Sequence, residues 1–205
     1  YYAARARGGA GLIIVEYSYI DEKGSKGSHG QLGIYSDQLI TGLGNLAEAI
    51  QEWGAKAILQ ICHAGRCTSA HIIGQQPIAP SPVPCPSGEM AKEMTLDEIE
   101  ATIESFGEAA RRAKSAGFDG VELHGAHGYL MAQFYSPYTN QRRDPFGKDR
   151  GLFALQVLDR VRSRVGRDYV VGYRMNAEEF IENGVHLADS IPLAKRLEDR
   201  GIDYI

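Results

Sequence analysis

Cysteine is scarce in this chain of 205 residues: Cys62, Cys67 and Cys85 are the only three. Their spacing is too irregular for a disulfide framework, and without a Cys-x-x-Cys pair nothing points to zinc or an iron–sulfur cluster among these residues. Reduced thiols and a cytoplasmic setting are the resulting expectation. Long apolar runs are missing too. None much exceeds Gly11-Leu-Ile-Ile-Val15, far short of the roughly 18 to 20 residues that cross a bilayer as a helix, so no membrane partner is expected. Nor does one sign of charge dominate: 22 Lys and Arg stand against 26 Asp and Glu, interspersed along the chain, for a formal net charge of -4. That balance argues against a nucleic-acid surface or a polybasic membrane patch. Neither an initiator methionine nor a signal-type apolar core opens the sequence, and Tyr1 to Arg7 reads as the end of a helix running into Gly8-Gly9. The chain is therefore expected to be an internal piece of a longer protein.

What is present suffices for a soluble globular domain, with 43% hydrophobic and 23% charged residues. Strand and helix signals alternate along it. Leu12 to Glu16 is an apolar, β-branched run between glycine and turn-like sequence, the pattern of a buried strand. Leu39, Leu43, Leu46, Ile50 and Trp53 then recur at helical spacing behind Ser36 as N-cap, with Gly54 at the far end. Ala57 to Ile61 is a second strand. After a long loop, Thr95-Leu-Asp-Glu98 is a capping box opening a helix with Ile99, Ile103, Phe106, Ala110 and Ala113 on one face, ended by Gly117. Gly120 to His124 reads as a strand, Ala154, Leu158, Val161 and Val165 mark a helix, and Tyr169 to Arg174 is a further strand. A last helix is expected from Asp189 or Ser190, so that Pro192 falls in its first turn, to about Arg200. Asp203 to Ile205 begins another strand.

Such alternation implies βαβ units and a parallel sheet, either doubly wound or closed as a barrel. The strand ends favour the barrel. Glu16, Gln60, Glu122 with His124, and Arg174 each finish an apolar run, and a barrel draws its site from the carboxyl ends of several strands, whereas a doubly wound sheet concentrates it at one switch point. The near match to a nucleotide loop, Gly42-Leu-Gly-Asn-Leu-Ala47, falls inside a predicted helix and is a false positive. A whole barrel usually takes about 250 residues. The chain therefore reads as an α/β domain, residues 1–205, covering roughly strands 2 to 6 of a (β/α)8 TIM barrel. Within it lies a long Pro-rich loop at 64–94 with five of the eight prolines, either an irregular surface excursion or a lid or interface arm over the site.

The densest chemistry lies in Gly120-Val-Glu-Leu-His-Gly-Ala-His-Gly-Tyr129. His124 closes a strand, and His127 and Tyr129 follow it, with Gly125 and Gly128 letting the backbone turn between them. A metal pair, or two buried histidines bonded to backbone, is the plainer alternative to an active site at the mouth of a barrel.

Together with Gly11-Leu-Ile-Ile-Val-Glu16, Gln60-Ile-Cys-His-Ala-Gly-Arg66, Ala79-Pro-Ser81 and Gln133-Phe-Tyr-Ser-Pro-Tyr-Thr-Asn-Gln-Arg142, that segment resembles the Old Yellow Enzyme family of FMN-dependent NAD(P)H:flavin oxidoreductases. The order and spacing of the motifs match along nearly the whole chain. Thr139-Asn-Gln-Arg142 and Tyr173-Arg174 look nearest the branch of bacterial 2,4-dienoyl-CoA reductases. The resemblance implies an ene-reductase: FMN held at the strand ends, NADH or NADPH as hydride donor, and a small-molecule alkene of enone, enoate or enoyl-CoA type as acceptor. By the same resemblance His124 and His127 bind the substrate carbonyl, Tyr129 donates the proton, Gln60 meets the flavin pyrimidine edge, and Arg174 lies near N1 and O2. These roles also suit the residue types, since an amide offers donor and acceptor to an imide edge and a buried Arg needs an anionic partner. A salt bridge from Arg174 to Glu122 is the structural alternative.

Glu16-Tyr17 stands where the family has an acidic or small residue and then a small one touching the flavin through its backbone. Tyr17 is bulky there and would narrow the substrate side. Asp144-Pro-Phe-Gly-Lys148 is a shortened loop, anchored on this reading by Asn140 and Arg142; Cys62 is a small buried residue, and His63 and Arg66 take structural roles, with an approach to a phosphate as the alternative. The family branch often carries an iron–sulfur cluster and FAD beyond the barrel, and leaves room for a homo-oligomer. Two rival readings remain at this level. In one, Glu16, Glu122, His124 and His127 ligate a divalent ion in a metal-dependent hydrolase or lyase; in the other, the barrel is non-catalytic and its polar residues are structural.

Overall fold

Apolar runs bounded by glycine become strands, and the amphipathic stretches between them become helices. The computed structural model describes all residues, 1–205. Helix α1 (Tyr2–Arg7) leads into β1 (Leu12–Tyr19), and a 3-10 turn at Asp37–Leu39 runs into α2 (Ile40–Gln51) and β2 (Lys56–Cys62). The long connection that follows holds a short helix α3 (Ala70–Ile73) and two short strands, β3 (Ile78–Ala79) and β4 (Lys92–Glu93). Then come α4 (Leu96–Ser115), β5 (Gly120–Gly125), α5 (Leu130–Tyr135), α6 (Pro145–Lys148), α7 (Leu152–Val165), β6 (Val170–Met175) and α8 (Leu187–Asp199).

The main sheet has the order β1-β2-β5-β6 and is parallel throughout. Successive βα units lie side by side, without the reversal of strand order that a doubly wound sheet contains; this is part of a (β/α)8 barrel. Tyr204 bridges to Gly172, and the Asp203 amide donates to the Val171 carbonyl at 2.9 Å, so the chain begins to pair on the far side of β6. On β1, Val15 pairs with Leu59 but Ser18 with Ile61, which places a bulge at Glu16 and Tyr17. The strand thereby continues past the sequence boundary at Glu16 to Tyr19.

The core lies between the sheet and the helices around it. Both halves of the predicted capping box form on α4: Thr95 Oγ1 accepts from the Glu98 amide at 3.2 Å, and Glu98 Oε2 from the Thr95 amide at 2.8 Å. Its stripe Ile99, Ile103, Phe106, Ala110 and Ala113 is buried, as are Ala154, Leu158, Val161 and Val165 of α7. Phe153 joins the two layers, edge-on to Phe106 and stacked on Phe134 at 4.1 Å. No helix is long and apolar enough to cross a membrane.

Three local expectations change. Ser36 caps the 3-10 turn rather than α2 itself, accepting from the Gln38 amide at 3.3 Å. Trp53 lies beyond the end of α2 and is half exposed, because the buried face of that helix is Leu43, Ala47 and Ile50. Helix α8 starts at Leu187, ahead of Asp189 and Ser190, since Asp189 Oδ2 accepts from the His186 amide at 3.1 Å and closes the helix's first turn. Pro192 therefore sits in the second turn, and the Ala188 carbonyl it leaves without an amide partner is on an exposed residue that water can reach.

Residues 64–94 are tied down by side chains from the following loop. The buried Arg142 guanidinium donates to the carbonyls of Pro80 and Met94 at 2.8 and 2.7 Å and pairs with Asp144 at 2.6 Å. Asn140 Nδ2 donates to the carbonyls of Phe134 and Phe146 at 2.6 and 2.8 Å. Both are anchors.

Candidate active site

Strand β5 delivers His124 to the carboxyl end of the sheet, and the next turn folds two more side chains back over it. His127 adopts φ 58° and Gly128 φ 72°, consecutive left-handed residues that reverse the chain before Tyr129 caps α5. Gly125 allows this turn to lie against β6, because a Cβ there would sit 2.2 Å from the Tyr173 hydroxyl. The His127 amide is held by Asn176 Oδ1 at 3.1 Å.

The turn has a second anchor that the sequence reading passed over. Gln133, 1% exposed, donates to the Gly128 carbonyl at 2.6 Å and the Ala64 carbonyl at 3.1 Å, and accepts from the Arg66 amide at 3.1 Å. In the sequence it opens the Gln133-to-Arg142 motif and is a polar residue amid the apolar face of a short helix. His63 and Arg66 themselves serve the scaffold: His63 Nδ1 accepts from the Gly65 amide at 2.9 Å, and Arg66 donates to the Pro84 carbonyl at 2.6 Å.

All seven residues singled out as site candidates, Glu16, Tyr17, Gln60, His124, His127, Tyr129 and Arg174, line one cleft of about 510 Å³, joined by Tyr1, by Tyr2 and Arg5 from α1, and by Ile13 and Ile14 from β1. Tyr2 is a contributor the sequence did not announce, since its contact joins α1 to β1. Its hydroxyl donates to Glu16 Oε2 at 2.7 Å and accepts from the Glu16 amide at 3.1 Å.

His124 Nδ1 accepts from the Ala126 amide at 3.4 Å, which puts the ring proton on Nε2. That nitrogen lies 3.3 Å from His127 Nδ1, so the two rings converge on one point. Burial, then the neighbouring His127 and Arg174, lower the His124 pKa to about 3, and burial followed by Arg174 lowers His127 as well. Both imidazoles are neutral near pH 7. Tyr129 stands edge-on to His124 at 4.9 Å and stacks on Tyr17 at 5.4 Å. Burial, reinforced by the Tyr17 hydroxyl, raises the Tyr129 phenol and keeps its proton on.

Deeper in the barrel, Gln60 Nε2 donates to Glu122 Oε1 at 2.6 Å, with both residues buried. Arg174 is the partner of His124 across the β5–β6 ladder. Two expectations fail here. Arg174 is exposed rather than buried, because its strand end opens onto the cleft, and it makes no salt bridge to Glu122, whose carboxylate is engaged by Gln60. The four metal-ligand candidates do not converge either: Glu16 is turned to Tyr2 and Glu122 to Gln60, leaving only the two histidines together.

The donor set fits an FMN isoalloxazine. An amide with an available acceptor oxygen, an exposed guanidinium and an aromatic wall meet in a cleft of ligand size.

The sequence profile of the NADH:flavin oxidoreductase / NADH oxidase family matches residues 1–205. The NADH oxidase of Thermoanaerobacter brockii is 48% identical over 210 residues, covering 100% of this chain and 32% of that protein. Among solved structures, a complex of 2-naphthoyl-CoA reductase with 2-naphthoyl-CoA has TM-score 0.91 and 33% identity over 99% of this chain and 33% of its own. Morphinone reductase with tetrahydroNAD has TM-score 0.89 and 32% identity, over 98% of this chain and 61% of its own. The Old Yellow Enzyme homologue of Zymomonas mobilis has TM-score 0.87 and 32% identity, over 98% and 60%. The chain thus spans about a third of the length of the NADH oxidase it matches.

Proposed function

The chain belongs to the NADH:flavin oxidoreductase / NADH oxidase family, which includes the Old Yellow Enzymes, and from that premise we propose that it forms the FMN-binding part of an ene-reductase. Bound FMN would supply hydride transfer from NADH or NADPH to the β carbon of an alkene activated by a carbonyl. Gln60 would hold the flavin pyrimidine edge through its amide, and the Arg174 guanidinium would stabilise the negative charge that reduction places near N1 and O2. Glu16 and Tyr17, on the β1 bulge that lines the same cleft, would contact the cofactor.

The observation that supports this reading most is the convergence of His124 Nε2 and His127 Nδ1, 3.3 Å apart, in the same cleft as Gln60 and Arg174. Neutral imidazoles are suited to donate N–H hydrogen bonds to an oxygen that gains charge as the β carbon is reduced. With His124 fixed as the Nε2–H tautomer, both rings donate to one oxygen when His127 carries its proton on Nδ1. Tyr129, held protonated, would then deliver a proton to the α carbon. Tyr17, stacked on Tyr129, narrows the acceptor side and disfavours bulky alkenes. Two neighbours are named for reducing 2-naphthoyl-CoA and morphinone, in keeping with an enone, enoate or enoyl thioester acceptor; the 2,4-dienoyl-CoA branch is one version of this. An iron–sulfur cluster and FAD outside these residues belong to the same proposal.

Anaerobic titration of the FMN-loaded protein tests it. NADH or NADPH is expected to bleach the flavin, and an α,β-unsaturated carbonyl compound to restore its colour with formation of the saturated product. Failure of any such acceptor to reoxidise the reduced protein overturns the ene-reductase reading.

A further inference from the structure

The buried Gln60–Glu122 pair does more than fill the barrel interior. Cα register puts Gln60 beside Glu122, and Glu122 beside Gly172, in one layer across β2, β5 and β6. Gln60 is 5% and Glu122 4% exposed. Tyr204 closes the layer, its ring packed where any Cβ on Gly172 would lie. The hydrogen bond runs from Gln60 Nε2 to Glu122 Oε1 at 2.6 Å.

A carboxylate offers only acceptor oxygens, so it can hold the NH2 side of an amide but not its carbonyl side. The two orientations of the Gln60 amide are therefore unequal. Turning it over would set a carbonyl oxygen against a carboxylate oxygen at hydrogen-bond distance, two buried acceptors without a proton between them. Glutamate at this position leaves Oε1 and the second Nε2 hydrogen of Gln60 for the cleft, where Gln60 is a lining residue. A flavin imide presents an N3–H donor flanked by two carbonyl acceptors, and an amide so oriented matches it with one acceptor and one donor.

We propose that Glu122 is a positioning residue for the cofactor: it fixes the Gln60 amide so that Oε1 accepts from the flavin N3–H and Nε2 donates to the adjacent carbonyl. The inference rests on the FMN reading and concerns how the site chooses the cofactor's edge. Glutamine in place of Glu122 can meet Gln60 with either its oxygen or its nitrogen, so the amide loses its fixed sense with little change of shape. Aspartate retains the carboxylate but withdraws it by one methylene.

The test is a double-mutant cycle in the protein reconstituted with FMN, using Glu122→Gln, Gln60→Met and both together. Two quantities are read: the FMN dissociation constant by flavin fluorescence, and the pH at which bound oxidised flavin loses its N3 proton, seen in its absorption spectrum. In the Gln60 background, Glu122→Gln is expected to weaken FMN by about tenfold, the worth of one hydrogen bond to a charged network, and to shift N3 ionisation to lower pH. On top of Gln60→Met it should change neither. Equal effects in both backgrounds, or an unmoved N3 ionisation with a lowered melting temperature, make Glu122 a structural residue and overturn the proposal. If Glu122→Gln does not fold, Glu122→Asp runs the same cycle with the same criteria. Parental protein that binds no FMN instead refutes the cofactor reading on which this one depends.

Discussion

Two parts of the cleft are built in different ways. Gln60, Glu122, His124 and Arg174 stand on adjacent strands, in positions set by ladder register, three of them almost wholly buried. His127, Tyr129 and Tyr17 stand on a left-handed turn and a strand bulge, more open to solvent and held by side chains such as Gln133 and Asn176. Rigid strands suit groups that must hold a cofactor edge to a fraction of an ångström; a turn suits groups that meet a substrate from above. The comparison implies that damage to the turn, or to His124 beneath it, should affect the half-reaction with alkene, and damage to Gln60, Glu122 or Arg174 should affect the flavin itself.

The largest effect is expected from Tyr129→Phe, which keeps the ring stacked on Tyr17 and removes only the acid. Reoxidation by alkene should slow by on the order of 10² to 10⁴ while flavin reduction by NAD(P)H stays near the parental rate, as stopped-flow absorbance of the two half-reactions will resolve. Parental reoxidation would assign the proton to solvent or another group and dissolve the contrast. Arg174→Met comes next. Loss of a charge-assisted contact should weaken FMN by about 10- to 100-fold and lower its reduction potential, measured by fluorescence titration and by equilibration with a reference dye; an unchanged potential would move Arg174 out of the cofactor half.

Gln133→Leu sharpens the comparison from the scaffold side. It leaves the carbonyls of Gly128 and Ala64 without their donor and should slow the alkene half-reaction by about tenfold, with FMN affinity held within twofold. An equal loss of FMN affinity would mean that turn and strand ends are one unit. The smallest effect concerns pH. His124 titrates near 3 in the folded chain against 6.5 for an ordinary imidazole. The unfolded chain therefore takes up that proton first, and stability should be level above about pH 6.5 and fall as pH drops from there toward 3. By NMR the His124 ring should keep its neutral Nε2–H form from pH 8 to 5; a titration in that range would remove the neutral-donor role.

Much of the fold was legible because burial writes a period into sequence. The strand cores, the α4 capping box and the stripes of α4 and α7 needed only local pattern. Boundaries were less legible where long-range contacts outweighed local preference. The β1 bulge extends a strand past Glu16, and the cap between His186 and Asp189 starts α8 early enough to carry Pro192 inside it. The polar strand ends marked the candidate site residues, yet the contacts of Gln133 with Ala64 and Arg66, of Tyr2 with Glu16 and of Gln60 with Glu122 could not be read, because they join separate elements of the fold.

By itself the sequence determined the alternation of strand and helix, the polar residues at the strand ends and the family they resemble, since these depend on residue type and spacing alone. Only the tertiary structure decided which polar groups pair: that Glu122 takes Gln60 and leaves Arg174 free at the cleft, that His124 carries its proton on Nε2, and that Tyr17 stacks on Tyr129. Those choices follow from register and from the space each neighbour leaves, and a hydrogen bond is made only where two groups arrive within about 3 Å at the right angle.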